Sequence, residues 1–217
     1  MLSNYFLLAL RNIRRQRGYV VINTLGLAIG LASAIFIFLY VQDELSFDAY
    51  HPDARHTYRL GWKSQLPNGE TDAFPATPAG WENYIKENYP AVERIASFDA
   101  TGMPTTVHNP AADRKILTED IIWAEAALTD ILAIDIDRGH PQAPLKDINS
   151  ILLSETAARE LFGDEDPVGK TLQVSHTWTT RGQKLDMMIS AVYEDFPSNT
   201  HVHPKYICNI LALKAVT

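Results

Sequence analysis

The sequence predicts an α+β extracytoplasmic domain, with a mixed sheet and short helices, attached to one N-terminal transmembrane helix. Three observations support this prediction. An uncharged apolar run covers residues 19–41, the segments on its two sides carry opposite net charge, and the rest of the chain alternates between short strand-like and helix-like stretches. Short strands interleaved with short helices are typical of α+β domains and also allow two subdomains.

The apolar run at residues 19–41 is long enough to cross a membrane. As a helix it would measure roughly 34 Å, against a hydrocarbon core of roughly 30 Å. A cleaved signal peptide is the alternative, but its apolar region is usually about 7–15 residues long. The small-x-small site Ala32-Ser33-Ala34 is also followed by further apolar sequence. We therefore expect an uncleaved transmembrane helix.

Charge is distributed unevenly around this run. Residues 1–42 carry four arginines and no acid, a net charge of +4, whereas the remainder carries 15 Lys and Arg against 26 Asp and Glu, a net charge of −11. Because positive residues before a span stay in the cytoplasm, we expect a cytoplasmic N-terminus and place residues 43–217 on the outer side of the membrane. The acidic body would repel phosphates, which argues against a nucleic acid partner. The single cysteine, Cys208, excludes an internal disulfide.

Residues 1–18 carry a second, weaker pattern. Apolar side chains recur at helical spacing, and asparagines and arginines largely occupy the other face; the apolar set is Leu2, Tyr5, Phe6, Ala9, Leu10 and Ile13. The pattern predicts a basic amphipathic helix that lies on the inner leaflet and contacts membrane lipids. The alternative is a segment that only sets the orientation of the span.

Within the span, Asn23, Gly26, Gly30 and Ala34 follow one stripe. Small residues allow another helix backbone to approach closely, and a polar side chain there can hydrogen-bond across the contact. The stripe therefore predicts a helix-packing face. Chance is the alternative explanation, because glycine and alanine are common in membrane spans.

The first half of the outer domain begins with a strand at residues 57–65, whose polarity alternates, and a turn at Pro67-Asn68-Gly69. A helix is expected at residues 77–88, because Pro78 lies near its first turn and Pro90 just beyond its end. Further strands are predicted at residues 92–98, 104–108 and 114–118.

The second half begins with an apolar strand at residues 150–153. Ser154 is the predicted N-cap of a helix over residues 155–162, and Gly163 is expected to end that helix. Strands follow at residues 170–175, 185–193 and 206–211.

Three motifs suggest chemistry, and none of them is convincing. The segment from Gly163 to Thr171 has five residues between its glycines, where a phosphate-binding loop needs four, and it lies between a helix and a strand in the wrong order. His201 and His203 would share one face of a strand, but no cysteine or acid lies at a suitable spacing for a metal. Ser154 lacks the glycines of a nucleophile elbow. We predict no catalytic, cofactor-binding or metal-binding residues and no cofactor.

Several runs together resemble a known family. They are ALRNIRR at 9–15, INTLGLAIGL at 22–31, VQDELSFD at 41–48, SILLSETAA at 150–158, FGDEDPVGK at 162–170 and DFPSNTH at 195–201. In this order they resemble the N-terminal part of ABC transporter permeases of the MacB/FtsX type. The resemblance implies a first transmembrane helix followed by a MacB-like periplasmic core domain at residues 43–217.

The resemblance implies a non-enzymatic subunit of the bacterial inner membrane. Its partners would be a cytoplasmic ABC ATPase subunit, the remaining permease helices or a second permease copy, and a periplasmic partner. ATP hydrolysis by the ATPase would drive movement of the periplasmic domain, for export or mechanotransmission.

The sequence departs from the family pattern at residues 124–130, where AEAALTD stands in place of an aromatic-rich ADPxFF stretch. Such permeases continue with further spans, so the resemblance also implies that this chain is a fragment or a truncated product.

Two other functions are consistent with the same residues. The chain could be a single-pass membrane-anchored periplasmic sensor or binding module, in which case its helix would need no packing face. It could also be an anchored hydrolase that uses a metal held by His201 and His203.

Overall fold

The computed structural model describes residues 11, 14–78, 80–100 and 102–216, which form two compact units, Met1–Ala49 and Tyr50–Thr217. The predicted amphipathic helix at residues 1–18 lies largely outside the described residues. The mixed α+β architecture with an N-terminal apolar helix is confirmed. Both sheets belong to the second unit rather than to separate subdomains.

The first unit contains helix α1 (Arg17–Ser46), whose 30 residues extend about 45 Å. By length and composition α1 is the one helix among the described residues that could cross a membrane. None of its residues is buried, and its apolar side chains point in every direction. A helix that is apolar all round needs lipid or other helices around it. The predicted span, residues 19–41, lies entirely within α1.

The second unit begins with a small antiparallel hairpin, β1 (Trp62–Gln65) and β2 (Thr71–Phe74). The predicted turn is present: the Leu66 amide donates to the Glu70 carbonyl at 2.8 Å, and Gly69 has a φ of +85°. Helix α2 (Trp81–Asn88) follows. No residue of the hairpin or of α2 is buried.

Among the described residues, the main sheet has nine strands in the order β3-β6-β11-β8-β10-β9-β4-β5, with β7 paired to β10. Its strands are β3 (Phe98–Asp99), β4 (Thr105–Asn109), β5 (Arg114–Thr118), β6 (Ile121–Ala124), β7 (Ile136–Gly139), β8 (Ser150–Ser154), β9 (Thr171–Ser175), β10 (Leu185–Tyr193) and β11 (Tyr206–Asn209). Helices α3 (Ala127–Ile131) and α4 (Glu155–Phe162) and a 3₁₀ helix (Ile210–Val216) complete the unit. The β8–β10 and β6–β11 pairs are parallel, whereas the others are antiparallel.

Strand β10 organises the sheet because it is long enough to pair with three others. It lies beside β8 on one edge, and beside β9 and then β7 on the other. Its register against β8 shifts at Ser190, whose hydroxyl donates to the Pro144 carbonyl. Gly139 of β7 approaches this point so closely that a Cβ would lie 2.3 Å from the Ser190 carbonyl oxygen. Only glycine fits there.

The central strands of the main sheet are buried on both faces. Ile151 and Leu153 of β8 pack in the cluster that includes α4, whereas Leu152 packs in a second cluster that includes α3. Strands covered on both faces read as continuous apolar runs. This explains why Ile121–Ala124 (IIWA) shows no alternation and was not predicted as a strand.

Several predicted boundaries were wrong. Residues 57–61 and 92–97 are irregular, so the strand predicted at 57–65 is reduced to β1 and that at 92–98 to the two residues of β3. Helix α2 begins only at Trp81, because Gly80 before it has a left-handed φ of +88°. The prediction of α4, its N-cap Ser154 and its final Gly163 is confirmed. Strands β2, β6 and β7 and helix α3 were missed.

Candidate functional site

The predicted packing stripe lies on α1. At 3.6 residues per turn, Asn23, Gly26, Gly30 and Ala34 fall within about 80° of the helix circumference. All four are exposed, and a Cβ added at Gly26 or Gly30 would meet nothing within 4 Å. The backbone along this stripe is therefore open to close approach by another helix.

A second feature lies in the segment that follows α1. Tyr50, four residues after the end of α1, packs its ring 6.4 Å from the ring of Phe196, and its hydroxyl lies 3.4 Å from the Thr200 hydroxyl. The neighbouring His51 ring lies 3.9 Å from the Tyr50 ring. We call this set, Tyr50, His51, Phe196 and Thr200, the juxtamembrane contact, because Tyr50 closely follows α1 in the sequence.

The juxtamembrane contact is tied to the central strand of the sheet. The Phe196 ring lies 5.7 Å from the ring of Tyr193, the last residue of β10. Tyr193 is fully buried, and its hydroxyl donates to the Pro204 carbonyl at 2.6 Å. Burial, with nearby Asp195, raises the pKa of Tyr193 well above its usual value, so the hydroxyl keeps its proton. The two ends of the loop between β10 and β11 are thereby held together.

Asp195 ties the same loop to helix α4. Its carboxylate accepts from the Thr156 amide at 3.3 Å and from the Thr156 hydroxyl at 2.5 Å. Partial burial acts to raise the pKa of Asp195, but hydrogen bonds from Ser154 and Thr156 outweigh burial and lower it. A carboxylate at a helix N-terminus is also favoured by the helix dipole.

His51 is an unusual member of the juxtamembrane contact. It is 9% exposed, and its Nδ1 atom is buried without a hydrogen-bond partner among the described residues. A buried polar atom without a hydrogen bond destabilises the fold. His51 therefore contributes to the contact through its ring, which packs on Tyr50, and not through a hydrogen bond of Nδ1.

The motifs that suggested chemistry have structural roles. The Ser154 hydroxyl accepts from the Ala157 amide at 3.2 Å, as an N-cap. The ammonium group of Lys170 pairs with Glu165 and lies 5.1 Å from the centre of the Phe162 ring. His203 bonds through Nδ1 to the Thr200 carbonyl at 3.0 Å. Across the described ranges, no three His, Cys, Asp or Glu side chains are grouped to hold a metal.

Sequence reasoning did not identify the juxtamembrane contact. No role was predicted for Tyr50, Phe196 or Thr200 individually, and DFPSNTH at 195–201 contributed to the family resemblance. The two segments are about 150 residues apart, and local patterns carry no information on such pairing. The one signal was the concentration of aromatic and polar residues in two otherwise irregular stretches.

Comparison with known proteins places this chain in a family. Residues 20–207 match the family described as MacB-like periplasmic core domain. A solved domain assigned to a permease protein from Porphyromonas gingivalis is similar in fold, with 22% identity and a TM-score of 0.55. The match covers 69% of this chain and 60% of that domain. This chain therefore spans less than two thirds of the solved domain's length.

Two other solved structures are more distant. The extracellular domain of the ABC-type transporter YknZ from Gram-positive bacteria is 14% identical, with a TM-score of 0.45 and coverage of 63% of this chain and 64% of that one. The periplasmic region of MacB from Actinobacillus actinomycetemcomitans is 11% identical, with a TM-score of 0.42 and coverage of 60% and 53%. No curated protein matches the chain.

Proposed function

This chain belongs to the MacB-like periplasmic core domain family, and we propose that it forms the N-terminal portion of an ABC transporter permease subunit. A separate cytoplasmic ATPase subunit would hydrolyse ATP, and the permease would convert that hydrolysis into movement of its periplasmic domain, for export or mechanotransmission. The chain itself would carry out no catalysis.

One observation carries this proposal: a single family match includes both the apolar helix and the folded domain behind it. A soluble binding protein would need only the domain. The four arginines before the span support a cytoplasmic N-terminus, which would put residues 43–217 in the periplasm and α1 in the inner membrane.

The juxtamembrane contact supports a route for the movement. A displaced α1 would pull on the segment that contains Tyr50. Tyr50 contacts Phe196 and Thr200, and the same loop is bonded to β10 through Tyr193 and to α4 through Asp195. Packed side chains and hydrogen bonds of this kind transmit displacement when they join elements that move as units. The loop between β10 and β11 would therefore receive the motion of the span.

The packing stripe on α1 supports association with further permease helices. Small residues favour helix–helix contact in lipid because they allow close backbone approach. Asn23 would add a hydrogen bond across that contact. The partner helix would belong to the rest of the permease or to a second permease copy.

The first test is assembly and coupling. The full-length gene product would be purified with the ABC ATPase encoded beside it, in lipid nanodiscs, and hydrogen exchange of residues 193–204 would be measured with and without ATP. We expect a stable complex, and an ATP-dependent change in exchange that Tyr50→Ala abolishes while ATP hydrolysis continues.

Tyr58→Ala is the matched control, because Tyr58 is 79% exposed and its hydroxyl donates to the carbonyl of Arg55, three residues before it. This variant should keep both the complex and the exchange response. If no complex with an ATPase forms, the proposed function is wrong. If the complex forms but Tyr50→Ala behaves as wild type, only the proposed route is wrong.

The second test concerns the stripe. Gly26→Leu with Gly30→Leu should reduce recovery of the assembled permease, because two bulky side chains would hold the partner helix away. Ala28→Leu with Ala32→Leu has the same spacing on roughly the opposite face of α1. That control should assemble normally. Equal recovery of both double variants would show that the stripe packs against nothing and would favour a single-pass anchor.

A further inference from the structure

The turn of the β1–β2 hairpin contains the one Asn-Gly pair of the sequence, Asn68-Gly69. An asparagine side chain is most labile when glycine follows it, because glycine has no Cβ to shield its backbone nitrogen and restricts the backbone least. The pair was predicted only as part of a turn. Its surroundings in the hairpin also favour a chemical reaction.

Glu70 orients the Asn68 side chain from both ends of the amide. The Glu70 backbone amide donates to the Asn68 carbonyl oxygen, Oδ1, at 3.0 Å, and the Asn68 Nδ2 group donates to the Glu70 carboxylate at 2.8 Å. A donor at Oδ1 stabilises the negative charge that this oxygen gains when a nucleophile adds to Cγ. The side-chain amide is thus both oriented and activated for attack.

Gly69 supplies the nucleophile, which is its backbone nitrogen. Asn68 and Gly69 are exposed, and a Cβ built at Gly69 would meet no atom within 4 Å, so water and hydroxide reach the site freely. One contact opposes the reaction, because the Gly69 amide donates to the Leu66 carbonyl at 2.9 Å. That bond lies in a hairpin that buries no residue, and elements of this kind open locally at a low cost in free energy.

We propose that Asn68 is a site of spontaneous deamidation, and that its isoaspartate product weakens the β1–β2 hairpin. A base in solvent takes the Gly69 amide proton, and the Gly69 nitrogen attacks Cγ of Asn68. The new N–Cγ bond closes a five-membered succinimide ring, the Cγ–Nδ2 bond breaks, and Nδ2 takes up a proton and leaves as ammonia. One water molecule then opens the ring at either carbonyl carbon, which yields aspartate or isoaspartate.

The two products differ in their effect on the turn. Aspartate keeps the original main chain and is itself a favoured residue between proline and glycine in a turn. Isoaspartate carries the main chain through Cβ, which adds a methylene group between Pro67 and Gly69. The hydrogen bond from the Leu66 amide to the Glu70 carbonyl closes this turn at 2.8 Å, and the longer chain no longer matches it. Because turn geometry sets the register of a hairpin, the isoaspartate form loses the contact that aligns its strands.

The hairpin has few other contacts to keep it closed. Its strands pair over four positions, and the stacked rings of Trp62 and Phe74 lie 5.5 Å apart at the end far from the turn. Neither strand buries a residue. A two-stranded hairpin of this kind is marginally stable, so a damaged turn is enough to shift it towards the open form.

Peptide mapping by mass spectrometry measures the reaction in the full chain, purified in detergent and aged at mildly alkaline pH. The peptide that contains Asn68 should gain the mass of one deamidation, mostly as isoaspartate. Its rate should rise about tenfold per pH unit, because the deprotonated fraction of the Gly69 amide does so. Asn88 is the internal control, since it is exposed but precedes Tyr89. Asn68 should convert at least about tenfold faster than Asn88.

Two comparisons separate the roles of glycine and of the fold. Gly69→Ala should slow the reaction at least about tenfold, because the added Cβ hinders the attacking nitrogen. This variant also strains the turn, so wild type unfolded in urea is the second comparison, and the folded chain should convert within about tenfold of its rate. The proposal is overturned if Asn68 in the folded chain stays intact while the unfolded chain converts, or if it reacts no faster than Asn88.

Trypsin reports the state of the hairpin. Lys63 lies within β1 and must leave the strand to enter the protease, whereas Lys86 in α2 serves as the control. Cleavage after Lys63 should be at least about fivefold faster in the aged chain than in the fresh chain, with cleavage after Lys86 unchanged. Asn68→Asp, which keeps the original main chain, should stay within about twofold of the fresh chain. Equal cleavage after Lys63 in aged and fresh chains would refute the weakening of the hairpin.

Discussion

Two buried tyrosines offer a direct test of how this domain is stabilised. Tyr193 and Tyr206 are both fully buried in neighbouring parts of the main sheet, but only the Tyr193 hydroxyl has a partner, the Pro204 carbonyl at 2.6 Å. The Tyr206 hydroxyl has none among the described residues. Replacement by phenylalanine removes the same atom at each position, in different surroundings.

The expected effects differ in sign. Tyr193→Phe leaves the buried Pro204 carbonyl without a donor, which should lower the free energy of unfolding by about 1–3 kcal/mol. Tyr206→Phe removes an unsatisfied polar atom and should be neutral or stabilising by up to about 1 kcal/mol. Burial raises the pKa of both tyrosines, so both hydroxyls are protonated at neutral pH and the comparison involves no change of charge.

The assay is urea unfolding of the full chain in detergent, followed by tryptophan fluorescence, in which the buried Trp123 reports exposure of the core. In a thermal scan each kcal/mol corresponds to about 2–4 °C for a domain of this size. If Tyr206→Phe costs as much as Tyr193→Phe, hydrogen bonding does not distinguish the two sites, and the anchoring role given to the Tyr193–Pro204 bond is wrong.

Three further predictions use the same preparations. In urea unfolding, Gly139→Ala should destabilise the chain by about 3 kcal/mol or more, because its Cβ would collide with the Ser190 carbonyl. Gly69→Ala is the control: its backbone would be strained but its Cβ would meet no other atom, so it should cost only about 1 kcal/mol. Asp195→Asn should cost about 1 kcal/mol at neutral pH, because it weakens the hydrogen bonds that the carboxylate accepts from Thr156. Since the folded state lowers the pKa of Asp195, its contribution is present above the unfolded value and is lost as the pH falls through the folded value, so wild type and variant should converge in acid. A constant difference at all pH values would contradict this. Amide hydrogen exchange should be fast in β1, β2 and α2, which bury no residue, and slow in the buried strands β8 and β10. Equal protection in the two sets would show that the hairpin is stabilised by something other than burial of its own residues.

Local signals in the sequence predicted much of the second half of the domain. Helix α4 was predicted with its bounds because its cap, its length and its terminating glycine all act within a few residues. Strand β10 was predicted with its bounds because its nine residues provide enough pattern. The five-residue strand β5 was also predicted with its bounds, but some four-residue strands were missed. Strand β6 shows no alternation because both its faces are buried, and β7 forms only where Gly139 allows close approach to β10.

The candidate site was likewise predictable from the sequence only in part. The stripe of Asn23, Gly26, Gly30 and Ala34 could be read from the sequence, because helical geometry fixes which residues share a face. The contact of Tyr50 with Phe196 and Thr200 could not, since it joins segments about 150 residues apart. The Tyr206 hydroxyl and the edge position of β5 likewise depend on the order of strands in the sheet.

The sequence by itself determined the apolar span, the sign of charge on its two sides and the α+β class of the domain. Each depends on composition or on patterns within about 30 residues, where helix length and hydrophobic periodicity act directly. Tertiary structure alone decided the strand order, the bulge at Ser190, the juxtamembrane contact and the free edge of β5. These arise because a mixed sheet pairs strands that are distant in the chain, and such pairing is set by the packing of both faces at once.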